Sequence, residues 1–259
     1  ILGSEDQGIY LTAVTSTAPG IGANDSYFTE GRWVVAPAGF TGQTSVAIDT
    51  GNGPEVNKIT YVTPTFSGLT LGATFAPGAN SSYGRDNYTH ANAGTLGEAW
   101  GAAAQYKNKF GGFDVAASAG YMVTDVQNQL RDPLKEWNAG LNLGFAGFTV
   151  GGSYRDLSAK DPATGRKAFM DGYAWEAGVA YQTGPFGVGL NYFRSTAEAS
   201  IANRNKDKQT VWSLNGNYEM GPGVNLIAGI ANVKYDGEGT TAADDNRGWA
   251  GVTGFKLTF

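Results

Sequence analysis

The residues best suited to chemistry are sparse in this 259-residue chain, which holds one histidine, His90, and no cysteine. A catalytic histidine needs an orienting acid and a nucleophile in fixed geometry. His90 instead stands beside Tyr88 and Thr89 in a polar stretch typical of a solvated loop. Without cysteine there is no disulfide, thiolate metal site or thiol nucleophile. Zinc-ligand spacings, phosphate-binding glycine loops and nucleophile elbows do not occur either. We therefore predict no catalytic residue and no cofactor.

Carboxylates are the remaining candidates, and they form two groups. The first group lies near the C-terminus and could offer oxygen ligands to Ca²⁺: Asp236, Glu238, Asp244 and Asp245. These acids lack the spacing of an EF-hand, so we favour solvated charge and regard them as weak metal candidates. The second group lies in or beside residues 6–54, the longest stretch without a strand pattern: Glu5, Asp6, Asp25, Glu30 and Asp49. Loops of this length in a compact domain are usually functional or disordered.

The elements that must position these residues are β-strands. Alternation with a period of two between turn residues predicts about eleven strands, near residues 55–64, 69–76, 98–108, 112–124, 135–145, 148–156, 172–182, 186–195, 209–220, 224–235 and 248–259. A tilted membrane strand needs roughly 9–11 residues, whereas an average globular strand has only about five or six. The predicted lengths favour a membrane sheet.

The last strand shows the alternation most clearly. Counting back from Phe259, every second residue is apolar or small, and the intervening set contains Lys256. Successive side chains of a strand point to opposite faces, so one face is apolar and the other can contact water. No helical pattern supplies a cover for the apolar faces, which are therefore expected to contact lipid.

Composition narrows the possible partners. The chain is 41% hydrophobic, and no stretch approaches the length of apolar sequence that a membrane helix requires. A membrane β-barrel also lacks such stretches, because polar and apolar residues alternate along each of its strands. A net charge of −5 and a pI near 4.9 argue against nucleic acid as a partner.

The connections alternate between short turns and long polar loops. The long loops lie near residues 77–97, 125–134, 157–171, 196–208 and 236–247. Aromatic residues also form two bands, which include Phe113 and Phe145 near the short turns and Trp137 and Trp212 toward the long loops. Short turns on one side, long loops on the other and two aromatic bands are typical of outer-membrane barrels.

The same alternation assigns charged side chains to the interior of the predicted barrel: Lys58, Lys107, Asp114, Glu136, Arg155, Glu176, Glu219 and Lys256. Unpaired buried charge is very costly, so charges of both signs are unsuited to a dry core and indicate a water-filled channel. The strand near residues 224–235 has an ambiguous phase, and its faces cannot be assigned.

Three short motifs make the chain resemble a general porin of the alphaproteobacterial type. Residues 1–6, Ile-Leu-Gly-Ser-Glu-Asp, resemble the end of the fifth strand as it enters the third loop of that family. Residues 20–25, Gly-Ile-Gly-Ala-Asn-Asp, resemble the glycine-rich part of the same loop, and the closing strand ends in Phe259. The resemblance implies a single antiparallel transmembrane β-barrel of sixteen strands, a homotrimer, and a third loop folded into the lumen.

On this resemblance, residues 1–259 form one domain, and residues 6–54 form the constriction loop with its five acids as a negative rim. Lys58 and Lys256 would be the opposing cations. Eleven strands are about five fewer than the family has, so we expect the sequence to be incomplete at its N-terminus. A twelve-stranded barrel that uses the stub at residues 1–5 is the alternative, although this stub is too short to span a membrane.

The predicted function is passive diffusion of small hydrophilic solutes and ions through the bacterial outer membrane, with weak charge selectivity. Outer-membrane lipid and lipopolysaccharide are the expected surroundings. Two alternatives remain open: a barrel enzyme resembling an outer-membrane phospholipase, and a structural or adhesive barrel that its own loop plugs.

Overall fold

A computed structural model describes residues 2–3, 6–48, 56–78, 96–126, 132–161, 167, 171–198, 205–239 and 241–258. The candidate residues Glu5, Asp49 and His90 lie outside the described residues, as does most of the long loop near 77–97. The helices within the described ranges are all too short or too polar to cross a membrane.

Twelve strands make up most of the described chain: β1 Leu2–Gly3, β2 Lys58–Val62, β3 Leu69–Ala76, β4 Leu96–Phe110, β5 Phe113–Val126, β6 Leu134–Phe145, β7 Phe148–Ser158, β8 Gly172–Thr183, β9 Phe186–Ala197, β10 Asp207–Gly221, β11 Val224–Asp236 and β12 Asp245–Leu257. Two short helices, α1 Gly8–Thr12 and α2 Ser26–Thr29, lie between β1 and β2. A single turn of 3₁₀ helix, Ala242–Asp244, precedes β12.

All strands pair antiparallel in sequence order to form one sheet, with β1 and β12 at its two edges among the described residues. The all-β fold and the eleven predicted strands, which correspond to β2–β12, are confirmed. The largest differences in bounds are at β2, which spans only 58–62, and at β12, which begins three residues earlier and ends two residues earlier than predicted. The additional strand β1 pairs Leu2 with Ile59 and Gly3 with Lys58.

Tight turns set the register of the hairpins. Between β6 and β7 the chain reverses through Ala146 and Gly147, whose φ angles are 51° and 84°. Two consecutive residues with positive φ give a turn whose twist matches that of the flanking strands. Phe145 therefore pairs with Phe148, and the ladder continues without interruption to Lys135 and Ser158.

The two faces of the sheet differ in chemistry. The outer face is apolar, and many of its large side chains are exposed: Trp100, Tyr121, Trp137, Leu141, Leu143, Phe145, Val150, Leu190, Trp212, Leu214, Trp249 and Phe255. Its aromatic rings stack between neighbouring strands, for example Phe113 on Phe145 with ring centroids 4.6 Å apart. The opposite side, which we call the inner face, carries the polar side chains Glu136, Asn138 and Asn142 of β6.

The faces of β11 explain why its phase was ambiguous. Ala231, Val233 and Tyr235 lie buried on the inner face, whereas Ile230 is exposed on the outer face. The buried residues pack in one cluster with Ile21 and Phe28 from the stretch before β2. Because both faces of this strand carry apolar side chains, polarity alone could not distinguish them.

Residues 6–48, which we call the inner segment, contain α1 and α2 but no strand. The inner segment lies on the inner face and covers the middle of the sheet. Its contacts with the strands define the candidate site.

Candidate functional site

The first half of the inner segment crosses the strands one after another. Its successive main-chain groups bond to inward side chains of seven strands, listed from residue 8 to residue 20 of the segment: Thr74 of β3, Gln105 of β4, Ser118 of β5, Asn142 of β6, Glu176 of β8, Asn191 of β9 and Asn215 of β10. The crossing ends where the Ile21 amide donates to the Ala228 carbonyl of β11 over 3.3 Å.

This arrangement solves a problem of main-chain hydrogen bonding. A chain that runs across strands cannot join their ladder, yet its buried amides and carbonyls still need partners. The short amide and hydroxyl side chains of the wall supply them: Asn142 Nδ2 donates to the Thr15 carbonyl over 2.9 Å, and Ser118 Oγ accepts from the Val14 amide over 2.7 Å. The asparagines on the inner face of the wall thus hold the inner segment in place.

The second half of the inner segment returns across the sheet. Near β10, Gln209 Nε2 donates to the Thr29 carbonyl over 2.8 Å, and the Thr41 amide donates to Asp207 Oδ2 over 2.6 Å. Farther along, Asn138 of β6 donates to the Val46 carbonyl. The loop closes on itself where Gln7 Nε2 donates to the Ile48 carbonyl over 2.5 Å.

A buried ion pair fixes the end of this return. Arg155 of β7 donates to Glu136 of β6 from Nε over 2.9 Å and also from Nη2. Its Nη1 donates to the carbonyls of Ser45 and Ala47, each over 3.2 Å. The two charged side chains are only 10% and 6% exposed. Burial of these charges is tolerated because two guanidinium donors meet Glu136 Oε2 and Nη1 makes further hydrogen bonds to main-chain carbonyls.

The eight wall residues predicted from alternation divide into two sets. Lys107, Asp114, Glu219 and Lys256 are exposed, and all lie toward the short-turn end of the strands. The others are buried: Lys58, Glu136, Arg155 and Glu176. Alternation identifies the face of each residue, but it cannot reveal that the inner segment covers the middle of that face. A pore-lining role stays a prediction for all eight.

Glu176 is an example of the buried wall residues. It is 2% exposed, and its Oε1 accepts hydrogen bonds from the Ser16 amide and, over 2.7 Å, from Ser153 Oγ. The carboxylate therefore contacts the inner segment directly.

Three predicted acids of the inner segment are described. Asp6 is half-buried. Asp25 caps α2, where its Oδ1 accepts from the Tyr27 amide over 3.0 Å. Glu30 is exposed and accepts two hydrogen bonds from Arg32, the shorter 2.7 Å. This bond and the charge of Glu30 raise the pKa of Arg32 above its usual value. Sequence reasoning missed Arg32, although its position two residues after Glu30 was a usable indication.

The C-terminal acids take part in the structure of their own loop: Asp236, Glu238, Asp244 and Asp245. Asp236 pairs with Lys234 over 2.5 Å, and the Glu238 amide donates to Asp207 Oδ1 over 2.7 Å. Asp244 Oδ2 accepts from the amide and hydroxyl of Thr241 over 2.8 and 2.7 Å, which lowers the pKa of Asp244. Among the described residues, no three His, Cys, Asp or Glu side chains meet in a group suited to a metal ion.

Comparison with protein families gives one match. The model of a family described as Gram-negative porin matches residues 4–238. No curated protein sequence matches the chain significantly.

Solved structures show the same fold at low sequence identity. The anion-selective porin from Comamonas acidovorans superposes with a TM-score of 0.54 at 17% identity, over 78% of this chain and 59% of the porin. OccAB4 of Acinetobacter baumannii gives a TM-score of 0.52 at 13% identity, over 81% of this chain and 56% of its own length. The chain therefore spans less than two thirds of either protein.

Proposed function

The chain belongs to the Gram-negative porin family, and we propose that it forms a water-filled channel in the bacterial outer membrane for passive diffusion of small hydrophilic solutes and ions. One observation carries this proposal. The sheet exposes apolar side chains on its outer face, while a polar inner face holds a long segment across the strands. A lipid-facing wall with polar groups toward a lumen is the architecture of outer-membrane channels.

The outer face supports membrane lipid as the surrounding phase. Its aromatic rings lie in bands at the two ends of the strands, where the interfaces of a bilayer select amphipathic rings. We propose outer-membrane lipid and lipopolysaccharide as contacts of this face, and a homotrimer as the assembly.

The inner segment is the proposed constriction. We extend this assignment to residues 6–54, as the family resemblance implies, within a single domain of residues 1–259. Because main-chain bonds to many strands hold the segment, it narrows the lumen as a fixed element. Charges on its free side act in a narrow space with low-dielectric walls, where they sort ions by sign.

Weak selectivity for cations follows from the charge balance. The described acids of the segment include Asp6, Asp25 and Glu30, but Arg32 neutralises part of the charge of Glu30. The Comamonas porin is named anion-selective. We nevertheless propose a lean toward cations for this chain, because acids outnumber bases in its inner segment.

We propose that the protein has no enzymatic activity. A barrel enzyme and a plugged structural barrel are the alternatives. Neither accounts as directly for a polar wall that continues beyond the segment to exposed Lys107, Asp114, Glu219 and Lys256.

Conductance tests the proposed function. We expect purified, heat-modifiable protein to produce stepwise conductance increases in planar lipid bilayers in KCl, with a reversal potential that indicates a weak cation preference. A folded preparation that never produces steps would refute the channel and favour a plugged barrel or an enzyme. A strong preference for anions would refute only the charge argument.

A pair of substitutions tests the constriction. Asp25→Asn with Glu30→Gln should shift the reversal potential toward anions, because two negative charges are removed and Arg32 loses its partner. The loss of stability should be small, because Asn retains the helix cap. The matched control is Asp244→Asn with Asp245→Asn, where the last loop meets the start of β12. Charge in a solvated loop is screened beyond about 8–10 Å. Equal shifts from both pairs would place Asp25 and Glu30 away from the ion path.

A further inference from the structure

A cavity of about 440 Å³ opens on the inner face near the short turns, apart from the acids of the inner segment. Strands β4 to β7 form its walls. Its inward side chains are Lys107, Asp114, Ala116, Asn142, Gly144 and Thr149. This volume is within the range of about 300–1,000 Å³ that small-molecule sites occupy.

The register of the strands explains the hollow. In one row across the sheet, Lys107 pairs with Ala116, and Ala116 pairs with Asn142. In the next row toward the turns, Asp114 lies beside Gly144, which pairs with Thr149. Ala116 and Gly144 carry little or no side chain. They therefore leave a space between the long lysine on one side and the polar side chains of β6 and β7 on the other.

The inner segment is held beside this space by one of the lining residues. Asn142 Nδ2 donates to the Thr15 carbonyl over 2.9 Å, which places the main chain of the segment against the cavity wall.

Charge indicates what the cavity can bind. Lys109, at the end of β4, pairs with Asp114 across the strands over 3.1 Å. Lys107 is exposed, and no carboxylate among the described residues lies within 4.0 Å of its ammonium. The group of Lys107, Lys109 and Asp114 thus has one cation in excess, and Thr149 lines the same cavity.

We infer that this cavity binds the oxyanion group, phosphate or carboxylate, of a small polar solute. Lys107 supplies the positive charge, and the Thr149 hydroxyl can donate a hydrogen bond to the oxyanion. The inference that solutes pass this site on their way through the lumen rests on the proposed channel function. Binding itself does not depend on it.

The experiment measures binding separately from conductance. Inorganic phosphate is titrated with refolded protein in detergent at low ionic strength, and broadening of the ³¹P resonance reports the bound fraction. Lys107→Gln should weaken phosphate binding at least fivefold. Lys256→Gln is the matched control, because it removes an exposed inner-face cation of β12 that lies outside the cavity, and binding should change less than twofold.

A second variant should change phosphate binding in the opposite direction. Asp114→Asn frees Lys109 from its partner and should strengthen phosphate binding at least twofold. A gain of this kind cannot arise from misfolding. Comparable losses in the Lys107 and Lys256 variants, unchanged binding in the Asp114 variant, or no broadening with the unmodified protein would each overturn the site.

Planar-bilayer recordings in KCl on the same preparations keep the two hypotheses apart. Conductance without phosphate binding refutes the site and leaves the channel. Binding that depends on Lys107 in a protein without conductance refutes the channel and leaves the site.

Discussion

Replacing Arg155 with alanine is expected to release the returning half of the inner segment and to increase single-channel conductance. The substitution removes the bonds to the Ser45 and Ala47 carbonyls and leaves Glu136 buried without its partner. Breaking a buried ion pair on one side typically costs about 3–5 kcal/mol. Hydrogen exchange in residues 41–48 should accelerate by about 100-fold or more, since each 1.4 kcal/mol corresponds to roughly a factor of ten.

Two further variants separate the ion pair from its surroundings. Arg155→Met with Glu136→Leu removes both charges, so exchange should accelerate less than in Arg155→Ala, because no unpaired charge remains buried. Lys109→Ala breaks the exposed pair with Asp114. This variant should lower the free energy of unfolding by at most about 1 kcal/mol. Unchanged exchange in Arg155→Ala would show that the ion pair does not hold the segment.

The strands could be predicted because membrane strands obey a simple local rule. On β6, Leu141 and Asn142 differ in polarity, so their faces follow from the sequence alone, and the short turns mark where each strand ends. The rule fails on β11, where Val233 and Tyr235 pack under the inner segment and are as apolar as a lipid-facing side chain. An apolar residue on a strand does not reveal whether lipid or protein covers it.

The hydrogen bonds that hold the inner segment could not be predicted. Asn142 and Thr15 are 127 positions apart, and nothing local specifies which carbonyl an inward asparagine meets. The contact between Arg155 and Glu136 was easier to predict. The two-residue turn after Phe145 fixes the register of β6 and β7, and that register places these two side chains diagonally on one face. Sequence reasoning assigned both residues inward without pairing them.

The second large effect concerns the outer face, where Leu214→Arg should destabilise the folded protein by about 2–4 kcal/mol. Leu214 lies at the middle of β10, is 55% exposed, and has Leu190 and Ile230 as its neighbours across the sheet. An arginine there would lie near the centre of the bilayer, where its charge loses hydration. The measurement is a urea titration of protein folded in lipid vesicles, followed by heat-modifiable mobility.

Depth is tested on the same strand and the same face. Met220 is equally exposed at 55% but lies beside the short turn that follows β10, so Met220→Arg should cost only about 0–1 kcal/mol. Glu219→Arg, on the inner face of the same strand, controls for the introduced charge and should also have a small effect. If Leu214→Arg lowers the free energy of unfolding far more than Met220→Arg and Glu219→Arg do, an apolar phase must surround the middle of the strand. Equal losses at Leu214 and Met220 would mean that protein or water, and not a bilayer, covers the outer face.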